Sequence, residues 1–288
     1  MRTRSRRRLA AGAAVYSSIV LTTWLAAGIL LLLVGYLVFR GLGPLAKVIK
    51  YGVFANSGSA LLPIWFRTLY LMAAAALLAL PLAMGTGIYL SEYARESRLN
   101  AWILGAIDGL AKMPPIIYGL LGWGALAPRL GEGKTALIVL LASAIWLLPQ
   151  LSTMTYAALQ DVPGSFRRDS LALGASRWQT AWRVLIPYAR RTLAAKVLEG
   201  MARVGGEAAP VIMIAAAWPS SYGQPPTTLP YHLYSSLVGS VGPAASHHFG
   251  TALLLILTSI CLQGAAVQLR RIDNDLTGSV RDWERGRW

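Results

Sequence analysis

Four ionisable residues, Lys196, Glu199, Arg203 and Glu207, follow one another at spacings of 3, 4 and 4 inside a stretch that is otherwise apolar or small. At 100° per residue they occupy a stripe about 80° wide on one helix face, and Gly200 belongs to the same stripe. Their signs alternate. A charge at the centre of a bilayer costs about 2.5–3.5 kcal/mol against lipid, so this face is expected to point to protein or water. Counted from Pro187 at 1.5 Å per residue, Arg203 lies roughly 24 Å along the helix, well inside a bilayer. A buried guanidinium needs an anionic partner, and Glu207 at i+4 or Glu199 at i−4 could supply it. Two readings stay open. The pairs lock a helix bundle together, or Arg203 presents its planar fork to an oxyanion while Glu207 holds it and balances the empty site. A second pair, Asp108 and Lys112, is again four residues apart, on a face that carries Gly105 and Gly109. Those glycines form a small-xxx-small pattern suited to close helix packing. Lys112 either adds positive charge to an anion path or only neutralises Asp108.

Such charges require long helices to carry them. Four uncharged apolar runs, Leu9 to Phe39, Thr68 to Ser91, Thr135 to Gln160 and Phe249 to Leu269, are each long enough to cross about 30 Å of hydrocarbon. Two charged stretches, Leu99 to Pro128 and Pro187 to Pro219, bring the expectation to six spans in an all-α integral membrane protein. The prolines Pro114 and Pro115 remove two backbone donors and predict a break or kink in the third span. Lys and Arg fall 18 on one side of these spans and 6 on the other, with Lys112, Lys196 and Arg203 inside them. Basic loops resist translocation, so both termini are expected in the cytoplasm. The basic start Arg2 to Arg8 followed by a run reaching Phe39 reads as an uncleaved signal anchor, because a cleaved signal has a shorter apolar core. The expected organisation is residues 1–60, a signal-anchor span and first outer loop, and 61–288, one membrane core with a cytoplasmic loop at 160–187.

The composition agrees. Of 288 residues 55% are hydrophobic and only 14% charged, against about 25% charged in ordinary soluble domains, which excludes a disordered or collagen-like chain. The net charge of +15 flanks apolar runs instead of forming one polar domain, so membrane lipid, not nucleic acid, is the expected anionic partner.

The loop between the fourth and fifth spans is longer than a connector needs. Phe166, Leu171 and Leu173-Gly174 predict a short helix ended by glycine, and Trp178, Trp182 and Leu185 recur at helical spacing. Apolar side chains on a basic segment fit an amphipathic helix lying on the membrane surface, or a docking site for a soluble partner.

Leu171-Ala-Leu-Gly-Ala-Ser-Arg-Trp-Gln-Thr180, with Val184-Leu-Ile-Pro187 after it, resembles the cytoplasmic coupling motif of ABC-importer permeases. The acid that usually opens the motif is absent: Arg168 stands there, with Asp169 one place later. Ile88-Tyr-Leu-Ser-Glu-Tyr-Ala94, Pro114-Pro-Ile-Ile-Tyr-Gly-Leu-Leu-Gly122, Ala202-Arg-Val-Gly-Gly-Glu-Ala-Ala-Pro210 and Leu229-Pro-Tyr-His-Leu-Tyr234 resemble the phosphate-importer (Pst-type) permeases, the A-type subunit more than the C-type. Similar permeases have an acid where Asp108 stands, a small residue at Lys112 and a serine at Pro115.

The resemblance implies a type I ABC-importer permease in a bacterial cytoplasmic (inner) membrane. It implies heterodimerisation with a second permease subunit, a dimer of ATPase subunits and an extracytoplasmic phosphate-binding protein. Inorganic phosphate would pass Arg203, Glu207, Glu199, Lys196, Asp108 and Lys112 by alternating access. The ATPase would be engaged through Asp169, Ala172, Gly174, Ala175, Trp178 and Pro187. No catalytic site, cofactor or metal is expected in this chain. The alternatives are another oxyanion cargo (sulfate, molybdate, phosphonate) and a membrane anchor or sensor whose loop recruits a regulator.

Gly131-Glu-Gly-Lys-Thr135 lacks the first glycine of a nucleotide-binding loop, since Pro128 stands at that position. His232, His247 and His248 have no nearby carboxylate or cysteine to complete a metal site and read as surface histidines. Trp24, Trp65, Trp102, Trp123, Trp146 and Trp218 read mostly as an interfacial aromatic belt.

Overall fold

A computed structural model describes the backbone of residues 2–51, 61–94, 97–130, 134–216, 227–239 and 246–284; side chains are described within 16–46, 61–94, 97–130, 134–216, 227–238 and 248–272. Every secondary-structure element among them is helical. The central helix is α6 (Thr135–Gln160), which buries Ile138, Ala142, Leu147, Leu151 and Leu159. Helix α2 (Leu61–Ile88) runs along it. Ala75, Ala76, Ala79 and Ala83 give α2 a small-residue face, and a Cβ on Gly87 would stand 2.6 Å from Thr155 Cγ2. Such small faces let backbones approach closely where water supplies no drive for association. On the neighbouring side of α6 lies α9 (Ile186–Gly206), where Gly200 faces Leu147 and Leu151. The Gly200 position therefore serves helix contact.

Outside this centre, α1 (Arg2–Tyr51) packs on α12 (Ser246–Glu284), and α12 packs on α9. The α1–α12 crossing uses Gly41 against Leu253 and Gly250 against Pro44, with the Tyr36 and Phe249 rings edge to face at 5.7 Å. Among its described side chains α1 is otherwise largely bare, with Trp24, Leu31 and Leu32 exposed.

Four helical stretches, Tyr16–Ala46, Leu61–Tyr93, Thr135–Gln160 and His248–Ile272, are long and apolar enough to cross a membrane. A fifth candidate is a bent pair. Helix α3 (Arg98–Ala111) turns through 90° at residues 112–114 into α4 (Pro115–Leu121), which runs on through a π-turn (Gly122–Leu126) into α5 (Ala127–Leu130). This is the break that Pro114 and Pro115 predict, and Tyr118 clasps the bend by donating its hydroxyl to the Leu110 carbonyl at 2.8 Å.

The expected span at 187–219 is not one apolar helix. It breaks after Gly206, Glu207 is extended (φ −97, ψ 116), and the chain resumes helix as α10 (Ala209–Ala216). Gly205-Gly206 and Pro210 together favour the break: glycine is a weak helix former, and Pro210 has no N–H to give and its ring would crowd the carbonyl of Gly206. Pro219 and the following residues to 226 lie outside the described residues, as does the segment 131–133 of the declined nucleotide motif. Helix α11 (Leu229–Gly239) packs against α12. Here His248 is buried and bonded to Ser236 Oγ at 2.7 Å, and His232 is half-buried against Thr251, so neither is the free surface histidine expected. Trp146 also departs from expectation, packing inside the core with Met72 and Leu151 instead of at a span end.

Candidate functional site

Helix α9 carries Lys196, Glu199 and Arg203 on one face, and their partners differ from those that spacing suggested. Glu199 is bracketed by Lys196 Nζ at 3.4 Å and by the Arg270 guanidinium arriving from α12. Arg203 forms no ion pair among the described residues. It donates from Nη1 to Oε1 of Gln150 at 3.2 Å, and its side chain is otherwise exposed. Glu207 has left the helix face, because the break before Pro210 puts it in extended backbone, and its Oε1 accepts the Ala209 N–H at 3.4 Å. It thus caps α10 and does not hold Arg203. Glu199 does not hold it either.

Gln150 belongs to α6 and is 5% exposed. Its Nε2 donates to the Trp146 carbonyl at 3.4 Å, leaving the amide oxygen to face the guanidinium. Gln150 and Arg270 were both missing from the sequence-based site. A polar residue following Pro149 in an uncharged run is the only signal for Gln150, and Arg270 stands just after an apolar run, where a basic residue ordinarily flanks a span.

Asp108 and Lys112 do pair, Oδ2 to Nζ at 2.5 Å, at the very corner where α3 bends. Both are exposed, and the Cβ positions of Gly105 and Gly109 meet nothing within 4 Å, so the small-xxx-small face has no partner among the described residues. No hydrogen bond or ion pair among them joins this corner to Arg203.

The loop after α6 folds as two short helices, α7 (Gly164–Ala172) and α8 (Arg177–Thr180). Between them Gly174 takes φ +84, the left-handed conformation that glycine adopts without strain. Gly174 N–H bonds the Leu171 carbonyl and Ala175 N–H the Ser170 carbonyl, the 5→2 and 6→1 pattern of a Schellman ending. Ser176 and Gln179 then start α8 with a reciprocal capping box. This corner thrusts Leu173 out at 89% exposure, beside exposed Leu171, Trp178 and Trp182; the two indoles stand edge to face at 5.6 Å. Asp169 and Ala172 are also exposed, and Ala175 is half-buried.

From α8 the helix continues without a gap through a π-turn (Ala181–Leu185) into α9. The Ile186 N–H reaches back five residues to Ala181. Widening the turn here accommodates Pro187, which has no N–H and would crowd the carbonyl four residues behind it. It also turns Leu185 fully inward while Trp178 and Trp182 face out.

A buried ion pair fastens this loop to the end of α2. Arg167 Nε donates to Glu92 Oε1 at 3.0 Å, with the two side chains 6% and 8% exposed. Arg167 also reaches the Val162 and Leu159 carbonyls, and Arg177 Nη1 reaches the Glu92 carbonyl at 2.7 Å. Glu92 lies in a further π-turn, Tyr89–Tyr93. Above the pair opens a cleft of about 570 Å³ that Arg168, Arg177 and Tyr93 help to line.

The description "Binding-protein-dependent transport system inner membrane component" matches residues 80–270. The chain is 31% identical over 211 residues to the phosphate transport system permease protein PstA 1 of Mycobacterium tuberculosis H37Rv, covering 71% of this chain and 68% of that one. It is 27% identical over 260 residues to the probable ABC transporter permease protein YqgI of Bacillus subtilis 168, covering 83% and 88%. Among solved structures, a chain of the methionine ABC transporter MetNI superposes with a TM-score of 0.60 at 18% identity, covering 72% of this chain and 93% of that one.

Proposed function

We propose, for a chain that belongs to the binding-protein-dependent transport system inner membrane components, that its cargo is inorganic phosphate and that Arg203 is the cargo's central contact within the membrane. One observation carries the reading: an exposed guanidinium, on a helix packed into the centre of the bundle, that is held by a neutral amide and meets no carboxylate among the described residues. A fixed positive charge in a medium of low dielectric attracts an anion strongly, and arginine's fork matches two oxygens of a tetrahedral oxyanion. Kinship with a phosphate permease supports phosphate among such oxyanions.

The chain works as a transport subunit of a multi-pass membrane complex. Its partners are a second permease, an ATPase dimer and an extracytoplasmic phosphate-binding protein, and it crosses the bacterial inner membrane six times with both termini in the cytoplasm. The loop at 160–187 docks the ATPase through Leu173, Trp178 and Trp182 around Gly174. Because α8, the π-turn and α9 form one rod from Arg177 to Gly206, displacement of the docked loop moves Arg203 with it, turning the site from the outer to the inner side. Glu199 and Lys196 lie about one and two helical turns nearer the cytoplasm and, with Arg270 beside Glu199, form the path's inner stretch. Asp108 and Lys112 line it where the bent span meets the second permease.

The test is phosphate uptake into proteoliposomes that hold the whole complex, with binding protein outside and ATP within. R203A is expected to abolish uptake while the chain still assembles with the ATPase. Normal uptake by R203A overturns the role of Arg203. Uptake of sulfate but not phosphate by the unaltered complex overturns the cargo and leaves the site standing.

A further inference from the structure

The partner that holds Arg203 is an amide where a carboxylate would bind far more tightly, and that choice has a functional meaning. A carboxylate at Gln150's place would form a charge-assisted pair with the guanidinium and cancel its charge. The anion would then have to displace a fixed competitor. The amide oxygen accepts a single N–H at 3.2 Å and leaves the charge intact. Among the described residues the other four donors of Arg203 are unengaged, so a two-oxygen contact remains open to an incoming ligand.

The amide is itself held at both ends. Its Nε2 is tied to the Trp146 carbonyl, and it is 5% exposed on the most enclosed helix of the bundle. Trp146 is buried in its turn. A rotation of the amide would turn its NH₂ group toward the guanidinium, donor against donor, so the bond to Trp146 favours one orientation. Arg203 also lies in the C-terminal turn of α9, where the helix dipole favours a cation without discharging it.

We infer that Gln150 is a positioning residue that fixes the direction of the Arg203 fork while preserving its full charge for the anionic cargo. This rests on the reading of Arg203 as the cargo contact. Gln150 acts through Arg203 and need not touch phosphate.

The experiment measures maximal phosphate uptake by the reconstituted complex carrying Q150E, Q150L, R203K, R203A and the double variants Q150L/R203K and Q150E/R203K. Q150E keeps the shape and adds a neutralising charge; uptake is expected to fall at least tenfold. Q150L removes the anchor and is expected to fall severalfold. R203K keeps a charge without the fork, so Q150L should add less than a twofold loss on that background. Uptake by Q150E within twofold of the unaltered complex overturns the inference, as do losses from Q150L and R203K that multiply. If Q150L fails to assemble, Q150E and its double variant decide by the same criteria, with uptake expressed per assembled complex so that loss of the Trp146 bond is not read as loss of positioning. Full uptake by R203A defeats the underlying site reading as well, whereas loss in R203A with normal uptake in Q150E defeats the role of Gln150 alone.

Discussion

Arg167 and Glu92, 75 residues apart in the chain, form an ion pair at 3.0 Å that is almost wholly enclosed, and it joins the loop after α6 to the end of α2. Arg167 also reaches two backbone carbonyls and the Ser91 hydroxyl. Breaking such a pair leaves an uncompensated buried charge, at a cost of about 3–5 kcal/mol. E92A is therefore expected to lower the thermal midpoint of the detergent-solubilised chain and to open the 161–187 loop to protease. The measurements are a melting curve and limited proteolysis. Unchanged values for both would mean that the loop is held by its helix packing alone.

Gly174 supplies the next prediction. Its φ of +84 costs a residue with a side chain about 1–2 kcal/mol, and more if the residue is β-branched. G174V is expected to displace the Leu173 corner and weaken capture of the ATPase, read in a pull-down, while membrane insertion is unaffected. Binding at the unaltered level would remove this corner from the docking surface.

The indoles of Trp178 and Trp182 are neighbours that the described residues leave about half exposed. Large aromatic anchors dominate protein interfaces, each worth about 2 kcal/mol or more when removed. The double variant W178A/W182A is expected to weaken ATPase association at least tenfold in a titration. Association at the unaltered level would remove the two indoles from the docking surface.

Two glycine pairs invite opposite outcomes. A Cβ at Gly87 would come within 2.6 Å of Thr155, and Gly205 within 2.5 Å of Met72, whereas Gly105 and Gly109 face open space. G87A is expected to destabilise the chain by about 1–3 kcal/mol, the usual cost of overpacking, and to lower its melting temperature. G105L should leave the isolated chain's melting curve in place and reduce assembly with the second permease, measured by co-purification. Equal melting effects from both would contradict the packing described for α2 and α6.

Much of the helical scaffold was legible because its signals are local. Apolar run length marked four helices, Pro114 and Pro115 marked the bend, and Gly174 after Leu173 marked the end of α7. The site was legible only in part. Spacing puts Glu207 on the stripe with Arg203, but the helix stops after Gly206, and Pro210 alone does not signal this, since Pro81 and Pro149 lie inside unbroken helices. Gln150 and Arg203 are 53 residues apart, and Arg270 reaches Glu199 from another helix. Contacts of that kind depend on how helices are placed against one another, which periodicity does not encode. Trp146 misled for a related reason: its distance from the span end was judged by chain position, while its neighbours Met72 and Leu151 come from packing.

The five-residue turn Ala181–Leu185 sets a phase angle. Winding the same five residues as ordinary α-helix would swing the Trp178 face by about one residue's 100° around the axis relative to Arg203. Loop and ion contact are therefore inherited as one gear train. Grafting the loop onto another transporter would keep its timing only if this turn travelled with it.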